Sequence, residues 1–114
     1  MQLSDYSKKA ISTDLYNNKN QAIDSHAMLE KVFGLVGEAG EVAEKFKKIL
    51  RDKAGEATEE DKKELMKELG DVLWYVNSVG MYLGYSLDEI AQSNLDKVLS
   101  RKSRGVTKGS GDNR

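Results

Sequence analysis

The sequence predicts an all-α domain of the four-helix-bundle type that assembles with copies of itself. Three observations predict it. The chain of 114 residues contains no proline, the residue that most strongly breaks a helix. Its apolar residues recur at helical spacing. A charged fraction of 32% beside a hydrophobic fraction of 39% suits amphipathic helices with wet outer faces better than a thick sheet core. The length is that of one domain, with residues 1–104 helical and residues 105–114 a basic, glycine-rich tail.

Each helix carries a start or a stop. Ser4 caps a first helix reaching about Tyr16, and Asn17-Asn18-Lys19-Asn20 reads as a turn. A second helix runs from near Ser25 to about Arg51, with Leu35, Val42, Phe46 and Ile49 as its apolar stripe. Asp52 to Ala57 interrupts it. Thr58, with Asp61 three residues on, opens a third helix in the manner of a capping box, and Gly84 closes it. Ser86 and Glu89 form a second such box for a fourth helix that fades near Ser100. On the third helix Leu65, Leu69, Val72, Val76, Val79 and Leu83 share one face at about 100° per residue. Met66, Leu73, Trp74 and Met81 extend the apolar surface around it. Four short helices do not bury such an element by themselves, so a homo-oligomer with this helix near the interface is predicted.

Several classes are excluded. Without cysteine there is neither a disulfide framework nor a thiolate metal site. The first residues lack a signal-peptide core, and no apolar run approaches the ~20 residues that span a bilayer; a soluble, cytoplasmic protein without a membrane partner is expected. The net charge of −1 hides an asymmetry. Lys97, Arg101, Lys102, Arg104, Lys108 and Arg114 face Asp112 alone, giving +5 from residue 97 onward and −6 before it. A basic end on an acidic body suits an anionic ligand or simply a solvated tail. The tail has no aromatic residue on which a base would stack, so no nucleic-acid partner is predicted.

The chemistry lies in the acids. Glu38 and Glu41, three apart on the second helix, project from adjacent points of one face, and Glu68 and Asp71 repeat the spacing on the third. Two helices joined by a short turn pack antiparallel and bring four carboxylates together. Such a cluster repels itself unless a cation neutralises it, and hard oxygen donors suit Mg²⁺ or Mn²⁺. The competing reading is two ordinary solvated acid pairs. Against it, the acids border the apolar stripes, and Gly34, Gly37 and Gly40 punctuate the same helix. Each such glycine costs roughly 1 kcal/mol relative to alanine, which asks for close approach of a helix, a metal or a phosphate. A di-iron bundle, which needs Glu-x-x-His on two helices, is excluded by the single histidine.

Gly-Leu-Val-Gly-Glu-Ala-Gly-Glu-Val-Ala-Glu (34–44) and Glu-Leu-Gly-Asp-Val-Leu-Trp-Tyr (68–75) closely resemble the MazG-like nucleoside triphosphate pyrophosphohydrolases. Their signature is an ExxE pair on one helix and an ExxD pair on the next, here Glu38-x-x-Glu41 and Glu68-x-x-Asp71. His26-Ala27, Asn94-Leu95-Asp96-Lys97 and the ending Arg104-Gly105 with Gly109 to Arg114 are similar as well. The resemblance implies an all-α enzyme, a homodimer or homotetramer, that hydrolyses a nucleoside triphosphate to the monophosphate and pyrophosphate as housekeeping of the nucleotide pool. It implies Glu38, Glu41, Glu68 and Asp71 as catalytic Mg²⁺ ligands, with Asn94, Lys97 and Arg101 on the fourth helix contacting the substrate. Lys45 and Lys48 fall on the carboxylate side and either contact phosphate or pair with nearby acids. Arg104, Lys108 and Arg114 are candidates to close over the triphosphate. His26 is expected to pack at the start of the second helix. Trp74 is read as interface core, and Tyr75 and Tyr82 as pocket lining. Two rival readings stand beside this one: phosphoribosyl-ATP pyrophosphohydrolase, of the same fold and chemistry, and a non-catalytic helical module that binds nucleotides or a partner.

Overall fold

The computed structural model describes residues 1–16 and 20–114. The described residues form four helices: α1 (Leu3–Ile11), α2 (His26–Lys53), α3 (Glu59–Tyr82) and α4 (Leu87–Ser103). No strand occurs among the described residues, so the expected all-α class is the one observed. Of the predicted turn at Asn17–Asn20, only Asn20 lies within them. It takes the left-handed conformation, with φ 57°.

The caps fall where hydroxyls precede the apolar pattern. Ser25 Oγ accepts from the Met28 amide at the start of α2. Thr58 with Asp61, and Ser86 with Glu89, form reciprocal capping boxes for α3 and α4, each satisfying two amides a helix start leaves bare. The first helix is shorter than expected, ending at Ile11 instead of near Tyr16. The hydroxyls of Ser12 and Thr13 bond back to the carbonyls of Lys9 and Ala10, a local alternative to another helical turn. The chain then turns Asp14 into the interior. The fourth helix runs on to Ser103.

The α2–α3 hairpin is the frame. Lys53 meets Asp61, Lys45 meets Glu68, and Gly34 meets Tyr75, so the partners climb in opposite senses and the helices lie antiparallel. Gly34 is there for a reason: a Cβ at this position would strike the Tyr75 ring. α1 and α4 pack on the other end of α3, where Gly80 leaves room for the Ile90 side chain. Asn77 of α3 donates to the Ser7 carbonyl (3.1 Å) and accepts from the Ser7 hydroxyl (2.6 Å), clamping α1 in place.

The core is small and lies at that same end: Ile11, Ala27, Met28 and Tyr82, with Val32, Val79 and Met81 against them. The rest of the hairpin is thinly covered. At about 100° per residue, Leu29, Phe33, Val36 and Gly40 stand opposite the side of α2 that faces α3, and the first three are exposed. On α3, α1 covers Trp74 and Asn77 but stops short of Leu73, Leu69 and Met66, which stay exposed. In the single chain Leu69 and Leu83 of the predicted α3 face lie on the surface, as does Phe46 of the predicted α2 stripe. The radius of gyration of 16.8 Å exceeds the roughly 13 Å of a compact chain of this length, the signature of an open hairpin.

Candidate metal and active site

Residues Lys31, Glu38 and Lys45 are spaced by seven, two helical turns, so they form one polar line down the side of α2 that faces α3. Each meets a charge of opposite or like sign, and the three sites differ accordingly. Lys45 Nζ lies 3.4 Å from Glu68 Oε1. Glu38 meets acids: one carboxylate oxygen each from Glu38, Glu68 and Asp71 lie within 4.8 Å of one another. Burial, then the charges of Asp71, Glu68 and Glu41, push the Glu38 carboxyl above its ordinary value, as expected where like charges share a partly desolvated site.

The donor set fits a hard divalent cation. Ligands at 2.0–2.1 Å in an octahedron place oxygens about 3 Å apart when adjacent and about 4.2 Å when opposite, and three carboxylate oxygens within 4.8 Å of one another come near that spacing. Glu41 stands one turn along from Glu38, adds its charge to it, and remains exposed outside the converging group. The structure thus brings together three of the four predicted acids. Tyr6 of α1 is an unforeseen neighbour: burial and then the Asp71 charge raise its phenol.

The predicted cations divide. Lys45 reaches the cluster through Glu68, while Lys48 sits 4.0 Å from Glu44. Asn94 and Lys97 line a groove of about 550 Å³ with Tyr85, Glu89, Ile90 and Ser93. Arg101 is buried and bonded to the tail. α4 makes no contact with α2 and meets α3 where Ile90 lies on Gly80, while Lys97 and Arg101 bond to the tail. Lys108 has no bond to the cluster, and Arg104 and Arg114 are engaged within the tail.

The Tyr82 and His26 assignments change, and Trp74 has partners within its own chain. Tyr82 is fully buried and donates its hydroxyl to Asp14, so it lines no pocket. Trp74 is tied down inside the chain: its Nε1 donates to Thr13 Oγ1 (2.9 Å) and to the Ala10 carbonyl (3.2 Å). His26 is 88% exposed and lies 3.5 Å from Glu30 instead of packing inward. Tyr75 lies on Gly34 and edge-on to Trp74, one turn from Asp71.

Sequence reasoning missed a buried charge pair. Lys31 Nζ lies 2.9 Å from Asp14 Oδ1, with both side chains almost fully enclosed. The ammonium also stands 5.0, 5.6 and 5.8 Å from the ring centres of Tyr16, Trp74 and Tyr82, where cation–π attraction replaces lost water. Burial alone would raise Asp14, but hydrogen bonds from Tyr82 and Lys31 outweigh it and hold the carboxyl low. The same burial and the Asp14 bond drive the Tyr82 phenol far upward. The available signal was the seven-residue line itself, whose first member needs a partner as much as the second does.

Three carboxylates thus converge from two antiparallel helices in an all-α frame. A family model of the MazG nucleotide pyrophosphohydrolase domain matches residues 26–106, and the chain belongs to that family. It is 46% identical to the Gene 37 protein of Mycobacterium phage L5, over 114 residues and the full length of both chains. No solved structure matches significantly. None of the described helices is long and apolar enough to cross a membrane.

Proposed function

We propose that the protein hydrolyses a nucleoside triphosphate, ribo or deoxy, to the monophosphate and pyrophosphate, with Mg²⁺ at Glu38, Glu68 and Asp71 and Glu41 completing the site, as a cytoplasmic safeguard of the nucleotide pool. The single observation that carries this reading is the convergence of those three acids on a family frame built for pyrophosphohydrolysis. A bound divalent ion supplies charge neutralisation and Lewis acidity at the phosphate chain. The chain's residues do the rest. Glu38, Glu68 and Asp71 fix the ion's position on two stiff helices, and Lys45 holds Glu68 in its rotamer. Tyr75, packed on Gly34, forms the wall beside Asp71. Water adds across the bond between the α- and β-phosphates, and pyrophosphate leaves.

The phosphates need cations, and the same chain's α4 makes no contact with α2, the helix of Glu38 and Glu41. A second copy resolves this. The bare faces of α2 and α3 are apolar and floored by glycine: no atom comes within 4 Å of a Cβ placed on Gly37, Gly40 or Gly70. Close approach of another subunit's helices explains why alanine is absent there. In that dimer or tetramer, Asn94, Lys97 and Arg101 of one subunit serve the acids of another, with Lys48 a further phosphate contact.

The test is pyrophosphate release across a panel of ribo- and deoxynucleoside triphosphates, with Mg²⁺, with Mn²⁺ and with neither. Metal-dependent formation of monophosphate and pyrophosphate is the expected result. Release of orthophosphate alone, or no turnover of any triphosphate, would remove the reading.

A further inference from the structure

The tail after α4 is not free. Gly105 turns left-handed at φ 71°, and the chain runs back along the helix. Arg114 donates to the carbonyls of Val106, Thr107 and Gly111, and Arg104 donates to the Arg114 carbonyl. This lacing brings Asp112 onto the two cations of α4. Its Oδ1 lies 3.1 Å from Lys97 Nζ and 3.4 Å from Arg101 Nη2. Arg101 Nη2 also donates to the carbonyls of Asp112 (2.8 Å) and Gly111 (3.3 Å).

The fit is poor in an informative way. Arg101 is buried, yet the carboxylate opposite it is 80% exposed. Only one guanidinium nitrogen engages it, and Arg101 Nε is buried with no partner at all. A guanidinium pairs best in a fork, two parallel N–H donors to two oxygens of one anion. A tetrahedral phosphate group presents oxygens in more directions, and more charge, than a carboxylate engaged through Oδ1 alone. The groove along α4 leads to this point, since Lys97 closes its end beyond Asn94 and Ser93.

From this we infer that residues 105–114 form a self-blocking strap, in which the Asp112 carboxylate stands where a phosphate group of an incoming polyphosphate binds Lys97 and Arg101. The strap and the substrate anion compete, and binding lifts the tail from α4. The inference rests on the reading of Lys97 and Arg101 as phosphate contacts and adds a regulator to that site. Lys97 and then Arg101 hold the Asp112 carboxyl below the ordinary aspartate value.

The experiment uses the full chain, inorganic pyrophosphate as the probe, and no divalent ion, so that the acid cluster takes no part. Calorimetry compares the unaltered protein with Asp112→Asn and with Asp96→Asn, which removes an equal charge elsewhere on α4. Asp112→Asn should tighten pyrophosphate binding roughly three- to fivefold, the upper part of the range set by one partly exposed ion pair. Asp96→Asn should change it less than twofold. Hydrogen exchange of residues 105–114 should rise when pyrophosphate is added to the unaltered protein, and Lys97→Gln should weaken binding in both backgrounds. Equal effects of the two aspartate variants, no tightening, or a tail whose exchange slows on binding would each overturn the strap. Its fate is separable from that of the proposed reaction. Normal triphosphate turnover with no Asp112 effect removes only the strap. Tighter pyrophosphate binding with no turnover of any triphosphate leaves the strap and removes the reaction.

Discussion

At the scale of single residues, two charged positions on α2 two turns apart behave in opposite ways. Glu38 sits among like charges, so its ionised form is a burden to the metal-free fold. The sign follows from the raised carboxyl: the folded state binds that proton more tightly than the unfolded chain, so lowering the pH relieves the strain and neutral pH imposes it. Glu38→Gln should therefore raise the metal-free Tm by a few degrees while removing the rise that Mg²⁺ gives the unaltered protein and cutting turnover by at least about 100-fold. Thermal scans at neutral pH with and without Mg²⁺ check this; a variant that keeps the metal-induced rise takes Glu38 out of the ligand set. Asp71→Asn should lose turnover likewise with its helix content unchanged by circular dichroism. Lys31 is the reverse case, a charge already neutralised by Asp14 in an enclosed site. Lys31→Met leaves Asp14 buried and unpaired, which should lower stability by about 3–5 kcal/mol. Adding Asp14→Asn should recover part of it, since Tyr82 still has an oxygen to bond. Urea unfolding measures both, and a loss under about 1 kcal/mol for Lys31→Met would show that the pair is not a fastening.

At the scale of the helix, the start of α3 rests on Asp61, whose carboxylate accepts from Lys53 Nζ and the Thr58 amide. Lys53, then Thr58, draw it from the ordinary 3.8 down to about 2. A depressed acid contributes stability that is fully present above about pH 4 and lost as the pH falls toward about 2. Asp61→Asn should abolish that part of the pH dependence of Tm and lower Tm at pH 7; unchanged slopes between pH 2 and 4 would refute the assignment. This cap was legible in the sequence, as was that at Ser86, because a hydroxyl and an acid three residues on satisfy named amides with no help from the rest of the fold. The convergence of Glu38, Glu68 and Asp71 was legible for a related reason: spacing fixes the face, and a short link fixes the pairing of two helices. The end of α1 and the places of Trp74 and Tyr82 were not. They depend on Asp14 finding Lys31 across the link between α1 and α2, and on Asn77 finding Ser7. Such contacts join residues far apart in the chain and leave no local periodicity. Glu41 carries the same lesson, since the i, i+3 spacing that puts it beside Glu38 also turns it about 60° away.

At the scale of the whole molecule, the chain has a core at one end and a two-helix hairpin with bare flanks at the other. An isolated hairpin of two helices buries too little to hold its shape, yet the candidate metal site lies in its middle, so the geometry of the acids depends on whatever covers the flanks. Phe33 is 69% exposed at the centre of the bare side of α2, next to the open backbone at Gly37 and Gly40. If a second copy packs there, Phe33 is an anchor, and a charge in its place must be desolvated against apolar helices. Phe33→Glu should weaken self-association by about 2–4 kcal/mol, roughly 30- to 1,000-fold in the dissociation constant. Triphosphate turnover should fall with it, because α4 of one subunit would no longer reach the acids of the other. Gly40→Leu, which fills the gap without adding charge, should do the same through steric block alone. In a chain that works as a monomer, the outcome inverts: Phe33→Glu is harmless or aids solubility, and Gly40→Leu gains about 1 kcal/mol of helix propensity. Light scattering and turnover, measured on both variants across protein concentration, separate these cases. Activity that stays constant per chain while the assembly dissociates would show that each subunit carries a complete site.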